Sequence, residues 1–347
     1  MSKIACFGGS FNPPHLGHLK IALGVLRKEK FDEIWFLPTC ETPLKHQTMA
    51  SFEDRVQMIL RLIKPYRKLK VCMIEERLPT PNYTIHTVRA LKDIYPEHRF
   101  TWIIGSDQAN QFSSWKEADE LLKLINFIVV VRNPQDQIRK ELKIQHIPNI
   151  DTLSSTAIRE GKLDQTTKEV ISYIFDHELY IESIAKAMVS DKRWHHVKQV
   201  EKLALELGRF HKMNVHQITL AALFHDCTKM WTKDKSSAWL SFIDPDYRNQ
   251  PVPIWHQKTA AAYLERSGLK DKQVLTAIAN HVTGQKGNAL SQLIFIADKC
   301  EPSRDYDVSS ELALAKIDLD LAAQMVSRKQ TEYIQKEKNV SQSTTDR

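Results

Sequence analysis

His15 and His18 stand three residues apart behind a glycine pair, in the run Gly8-Gly9-Ser10-Phe11-Asn12-Pro13-Pro14-His15-Leu16-Gly17-His18. At the start of a helix this spacing projects both imidazoles from one side of the first turn. Their N–H groups can then serve phosphate oxygens that gain charge during a transfer reaction. The chemistry needs a strand, a loop and a helix in that order. Ile4 to Phe7 read as a buried strand, Gly8 to Phe11 as a loop whose amides approach an anion, and Leu16 to Lys30 as the helix whose positive end faces it.

Three further segments fall where a strand gives way to a helix. Ile103-Ile104-Gly105-Ser106-Asp107 ends a strand in a carboxylate that either caps the next helix or holds a hydroxyl or a metal-bound water. Leu153-Ser154-Ser155-Thr156-Ala157-Ile158-Arg159 sets three hydroxyls before a helix, with Arg159 in its first turns, where a cation opposes the helix dipole unless an anion is bound. Asn82-Tyr83-Thr84-Ile85-His86-Thr87, after Pro79 and Pro81, offers backbone amides to a small carboxylate.

A second constellation lies downstream. With Trp194 to Phe210 as a helix, His196 joins Val200, Leu203 and Leu207 on an inward stripe, whereas His195 joins Gln199, Lys202 and Glu206 on the solvent side. The stripe Val274, Ile278 runs on to His281, and Leu290, Ile294 to Asp298. His225-Asp226 completes the set. Buried carboxylates need cations or hydrogen-bond partners, and a divalent metal supplies the first. His196, His225, Asp226 and Asp298 make one ligand set; with His256 and His281 the pattern accommodates a second ion bridged by Asp226, clamping a phosphate between two metals. Nitrogen and carboxylate ligands without thiolate favour iron, manganese, cobalt or zinc over calcium.

The elements that position these residues divide the chain. Apolar runs at Ile34–Leu37, Lys70–Ile74, Phe100–Ile104 and Phe127–Val131 alternate with helical patterns, as in an α/β doubly wound parallel sheet. Beyond residue 184 the strands vanish and an all-α domain is expected through 335, followed by a polar tail, 336–347, with too little apolar surface to order. The 347 residues carry a net charge of +7, but the basic residues are interspersed with acidic ones. Nucleotide substrates explain that charge without nucleic acid. Five scattered cysteines fit a reducing cytoplasm, and no run approaches the ~20 apolar residues of a membrane span. The sequence is compatible with a homo-oligomer.

GGSFNPPHLGH, the Pro43-to-Lys45 loop, NYTIHT, GSDQ followed by Trp115, and SSTAIR stand in an order that resembles the bacterial nicotinate-nucleotide adenylyltransferases, over residues 1–183. The resemblance implies a Rossmann-like nucleotidylyltransferase fold and transfer of AMP from ATP, with Mg²⁺, to nicotinate mononucleotide, giving deamido-NAD and pyrophosphate. It implies that His15, His18, Lys45, Ser155 and Arg159 serve the triphosphate and that Tyr83, Thr84 and Trp115 serve the nicotinate ring and its carboxylate, with Gly105, Asp107 and Thr156 also at the substrate. Trp115 has a second reading as plain core. Leu44 and His86 depart from the family's usual His and Asp, which leaves acid-versus-amide selectivity open.

The segments RWHHV (193–197), HDCTK (225–229), IWH (254–256), NHVTG (280–284) and ADKCEPSR (297–304) resemble the YqeK-type HD hydrolases, over residues 186–310. That resemblance implies symmetrical cleavage of diadenosine tetraphosphate to two ADP at an iron centre, with Lys229, Lys299 and Arg304 at the phosphates. An alternative keeps the adenylyltransferase and gives the HD half another nucleotide, or a sensing role without turnover.

Overall fold

The computed structural model describes residues 1–40, 49–131, 142–146, 153–284, 287–303 and 306–345. Two compact units divide it: 1–158 with 162–173, and 159–161 with 174–347.

The first unit is a six-stranded parallel sheet in the order β3-β2-β1-β4-β5-β6 with helices between the strands. The strands are β1 (Lys3–Gly9), β2 (Glu33–Pro38), β3 (Leu69–Val71), β4 (Arg99–Gly105), β5 (Asn126–Val131) and β6 (Lys143–His146). The connecting helices are α1 (Leu16–Glu29), α2 (Phe52–Ile63), α3 (Thr84–Ile94), α4 (Ser106–Asn110), α5 (Ala118–Leu124) and α6 (Ser155–Arg159). Ile4, Cys6, Trp102, Ile104, Val129 and Val131 lie in one apolar core with Ile85, Val88 and Leu91 of α3. The central strands are apolar on consecutive residues because helices cover both faces of the sheet. Strand order reverses between β1 and β4, the position at which open parallel sheets bind ligands.

The chain passes from one unit to the other within α7 (Lys168–Asp176). The second unit therefore begins earlier than the expected 183/184, because Ile174 and Phe175 are buried with it; the Phe175 ring meets Phe224 edge-on at 5.3 Å. This unit is helical: α8 (Ile181–Ala187), α9 (Asp191–Phe210), α10 (Val215–Phe224), α11 (Lys233–Ile243), α12 (Trp255–Ser267), α13 (Lys272–Asn280), α14 (Ala289–Cys300), α15 (Ser309–Ala315) and α16 (Leu319–Thr345). The tail expected to be unordered continues α16 as far as Thr345. Its Gln, Lys and Glu residues are good helix formers, and neither Gly nor Pro follows Pro302 to stop the helix. Among the described residues no helix is long and apolar enough to cross a membrane.

Candidate functional site

In the first unit, β1 ends at Gly9 and the chain turns through Phe11, which adopts a left-handed φ of 48°. The sequence reading counts Phe11 among the substrate contacts. Its ring is instead buried, 4.9 Å from the His18 ring and 5.5 Å from Phe36, so its side chain buttresses His18 from below.

His15 is the N-cap of α1, and its Nδ1 accepts the Gly17 N–H at 3.1 Å. His18 Nδ1 accepts the His15 N–H, also at 3.1 Å. An imidazole nitrogen that accepts carries no proton, so both rings hold theirs on Nε2 when neutral. The rings lie with centroids 3.7 Å apart, presenting two N–H donors side by side at the amino end of a helix. Gly17 is required for this arrangement, because a Cβ there would lie 2.7 Å from His15 Nδ1. Gly17→Ala is therefore expected to break the cap, turn His15 and cost roughly tenfold to a hundredfold in kcat/KM for nucleotidyl transfer. Steady-state kinetics beside an unchanged circular dichroism spectrum would check it.

Ser155 Oγ donates to the Pro13 carbonyl at 2.7 Å, and Thr166 Oγ1 donates to Pro14 O at 2.9 Å, so the loop is fastened from the other end of the unit's sequence. Ser154 caps α6 through the Ala157 N–H, and Thr156 is exposed. Arg159 is the last residue of this five-residue helix rather than a residue of its first turn, so the dipole argument made for it does not hold. Lys45 and Leu44 lie outside the described residues. Sequence reasoning missed Arg55, a fully buried guanidinium whose N–H groups donate to Ser10 O, Thr39 O and Ala50 O.

A cavity of about 440 Å³ opens at the β1/β4 reversal. Gly8, Gly9, Ser10, Tyr83, Thr84 and Trp115 all line it, as do the unanticipated Glu75, Trp102, Gln108 and Lys116. The half-buried Trp115 ring lines the cavity and also packs 5.3 Å from Phe112. Gly105 and Asp107 do not line it. Asp107 is exposed in the first turn of α4, one residue before Gln108, and does not cap that helix. His86 Nε2 lies 3.4 Å from Lys116 Nζ, whose ammonium stands 4.7 Å over the Tyr83 ring.

Glu75 is a buried carboxyl pushed up to about 7 by desolvation, against the hydrogen bond from Thr87 Oγ1. Among the described residues its Oε2 has no hydrogen-bond partner. A carboxyl raised in the fold contributes its stability below the unfolded value and loses it as pH rises through 7. Glu75→Gln keeps an acceptor for Thr87, so it is expected to stabilise the first unit by the order of 2 kcal/mol at pH 8 and hardly at all at pH 5. Thermal melts at the two pH values are the measurement.

In the second unit, α9, α10, α12, α13 and α14 bring His196, His225, Asp226, His256, His281 and Asp298 together, all buried. His195 is exposed, as its stripe predicts. Three of the imidazoles donate Nδ1–H to the carbonyl three residues earlier: His225 to Ala222 at 2.6 Å, His256 to Pro253 at 2.9 Å and His281 to Ile278 at 2.7 Å. A carbonyl only accepts, so the proton sits on Nδ1 and each Nε2 offers a lone pair. Burial lowers all three, His225 to about 4, which keeps them neutral at physiological pH.

Those lone pairs converge. His256 Nε2 lies 3.1 Å from His281 Nε2 and 3.0 Å from Asp226 Oδ1, and His225 Nε2, 3.6 Å from Asp226 Oδ2, is buried with no hydrogen bond among the described residues. Burial would raise Asp298, but the Lys299 ammonium 2.9 Å from Oδ2 and the histidines around it together outweigh that and hold the carboxyl well below the usual range. Burial likewise opposes ionisation of Asp226, whose carboxyl is nonetheless held well below its ordinary range, with the Arg193 guanidinium 3.1 Å from Oδ2. Ligand atoms of His196, His225 and Asp298, and those of His225, Asp226 and His281, all lie within 4.8 Å of one another. Neutral imidazoles aimed at ionised carboxylates form a donor set that fits a divalent cation.

Lys229 Nζ donates to Pro253 O at 3.1 Å, the same carbonyl that accepts from His256 Nδ1. Arg304 lies outside the described residues. The structure adds Arg193, whose guanidinium meets Asp226 Oδ2 at 3.1 Å, and Glu301, 3.2 Å from His196 Nδ1. Each stands three residues from a predicted ligand, Arg193 before His196 and Glu301 after Asp298, so helical spacing was the signal available.

A phosphate-type loop at the reversal of a parallel sheet and a His/Asp cluster inside a helical bundle define a nucleotidyltransferase domain followed by an HD-type domain. Residues 6–161 match the cytidylyltransferase-like family and residues 193–303 the HD domain. A protein of Mycoplasma genitalium described as a probable nicotinate-nucleotide adenylyltransferase/Ap4A hydrolase is 29% identical over 316 residues, 88% of this chain and 89% of that one. A probable nicotinate-nucleotide adenylyltransferase of Oceanobacillus iheyensis is 38% identical over 187 residues, 52% of this chain and 97% of its own. A crystal structure titled as a predicted HD superfamily hydrolase involved in NAD metabolism, from Clostridium acetobutylicum, aligns with TM-score 0.42 and 25% identity over 45% of this chain and 86% of that one. The chain belongs to the nicotinate-nucleotide adenylyltransferase family, in the form that carries an HD domain behind the transferase.

Proposed function

We propose that the first unit transfers AMP from ATP to nicotinate mononucleotide, releasing pyrophosphate and deamido-NAD, and that the second cleaves diadenosine tetraphosphate with water to two ADP. The observation that carries the first reading is the pair of Nε2–H donors that the two Nδ1 hydrogen bonds set at the amino end of α1. An oxygen of the mononucleotide's phosphate attacks the α-phosphorus of ATP and the bond to the β-phosphate oxygen breaks. No protein nucleophile is needed, so catalysis is positioning and charge stabilisation. His15 and His18 donate to the oxygens that gain charge, with Lys45 and Arg159 assigned to the triphosphate, Thr156 to the substrate, and Mg²⁺ entering with ATP. Ser155 holds the loop through Pro13. Tyr83, Thr84 and Trp115 take the pyridine ring in the cavity.

The second reading is carried by the convergence of Nε2 lone pairs on Asp226 and Asp298. His196, His225, Asp226, His256, His281 and Asp298 would hold one or two divalent transition metals, iron foremost. A bound metal supplies Lewis acidity toward a phosphoryl group. Arg193, Lys229 and Lys299 place three cations around the carboxylates, where a polyphosphate needs them. Five free cysteines support a reducing, cytoplasmic setting.

One assay tests both halves. The intact chain, given ATP with nicotinate or nicotinamide mononucleotide, should release pyrophosphate with the acid; given diadenosine tetraphosphate with Fe²⁺ or Mn²⁺, it should yield ADP alone. Adenylylation of the amide in preference to the acid would overturn the first assignment. ATP and AMP as products, or no turnover with any divalent metal, would overturn the second.

A further inference from the structure

Glu301 stands where α14 ends and the backbone turns extended, at φ −65° and ψ 152°. Its carboxylate is buried and held: Oε2 accepts the Ser303 N–H at 2.7 Å and Oε1 accepts the Ser303 hydroxyl at 2.5 Å. Oε1 is also 3.2 Å from His196 Nδ1. An ionised carboxylate only accepts, so His196 donates Nδ1–H to Glu301 and turns the lone pair of Nε2 toward the cluster. There Nε2 lies 3.0 Å from Asp298 Oδ1, in a geometry that makes no hydrogen bond.

His196 differs in this from its neighbours. His225, His256 and His281 each donate to a neutral main-chain carbonyl. His196 lies inside α9, where carbonyls are committed to the helix, so its orienting partner has to come from another element. That partner is a charged side chain, which raises the donor strength of an imidazole more than a carbonyl does.

We infer that Glu301 is a positioning residue of the metal centre, fixing the tautomer and ring direction of His196 and making the His196–His225–Asp298 group the tighter of the two ligand groups. The inference rests on the metal-centre reading proposed above.

The test is a titration of the metal-free full chain with Mn²⁺ against a competing chelator, with a melting curve of each metal-free protein. Wild type is expected to bind in two steps. Glu301→Ala should weaken the tight step 10- to 100-fold and leave the other in place. Glu301→Gln keeps an acceptor for Nδ1–H and should lose less than tenfold. In a His196→Ala background, Glu301→Ala should add nothing further. Ser303→Ala, which loosens Glu301 without removing it, should shift the same step by a few-fold and serves if Glu301→Ala does not fold. Equal weakening of both steps, no weakening of either, or a full effect of Glu301→Ala without His196 would overturn the inference. A wild-type chain that binds no Mn²⁺ would instead remove the metal-centre reading itself.

Discussion

Replacing Asp226 with alanine is expected to lower ADP formation from diadenosine tetraphosphate by at least about a thousandfold while AMP transfer by the same chain persists. Asp226 Oδ1 is 3.0 Å from His256 Nε2 and 3.6 Å from His281 Nε2, and its Oδ2 meets Arg193. Without the carboxylate, two lone pairs 3.1 Å apart face each other with no anion to help a cation bridge them, and Arg193 loses its partner. Metal content should fall in parallel. Product chromatography and elemental analysis of one preparation test both statements, and hydrolysis at the wild-type rate would rule out this cluster as the hydrolytic centre. The transferase rate is the control for folding, because Asp226 belongs to the other unit.

The second large effect is expected at His18. His18→Ala removes one of two N–H donors at the amino end of α1 and should reduce kcat for deamido-NAD synthesis by about 10²- to 10³-fold with little change in KM. Alanine also strips the acceptor from the His15 N–H, so part of the loss would be structural. His18→Asn separates the two roles. Its Oδ1 can accept from His15, yet its amide does not reach as far as the imidazole Nε2, so the cap is restored and the rate is not. Pyrophosphate release measured on both variants decides the matter; an unchanged kcat in either would remove His18 from catalysis.

Periodicity carried much of what sequence reasoning achieved. Apolar runs covered on both sides by helices disclosed β1, β2, β4 and β5 almost to the residue, whereas β6, Lys-Ile-Gln-His, is too short and too polar to announce itself. His196 was separable from His195 because a 3.6-residue period distinguishes inward from outward. The stripe ending in Asp298 was readable for the same reason. Tautomers were not readable, since they depend on carbonyls that a helix end leaves available only once it is folded. The burial of the Phe11 ring was not readable either, because loop composition does not reveal which ring turns inward. The passage between units inside α7 was hidden because a single amphipathic helix contributes to both.

The histidines that orient themselves on their own helix carbonyls have a consequence for the order of binding. His225 directly follows α10, His281 directly follows α13, and Asp298 sits in the last turn of α14, so three helices aim the negative ends of their macrodipoles at one point. On the function proposed above, Arg193, Lys229 and Lys299 offset that negative potential only in part, so a metal ion would load before a polyphosphate enters. α1 does the opposite in the first unit, turning its positive end outward beneath His15 and His18 with no acidic residue in its first turn. On the function proposed here, one polypeptide meets phosphate with opposite electrical poles: one domain attracts the anion with a helix's positive end and the imidazole donors mounted on it, and the other does so through a borrowed charge.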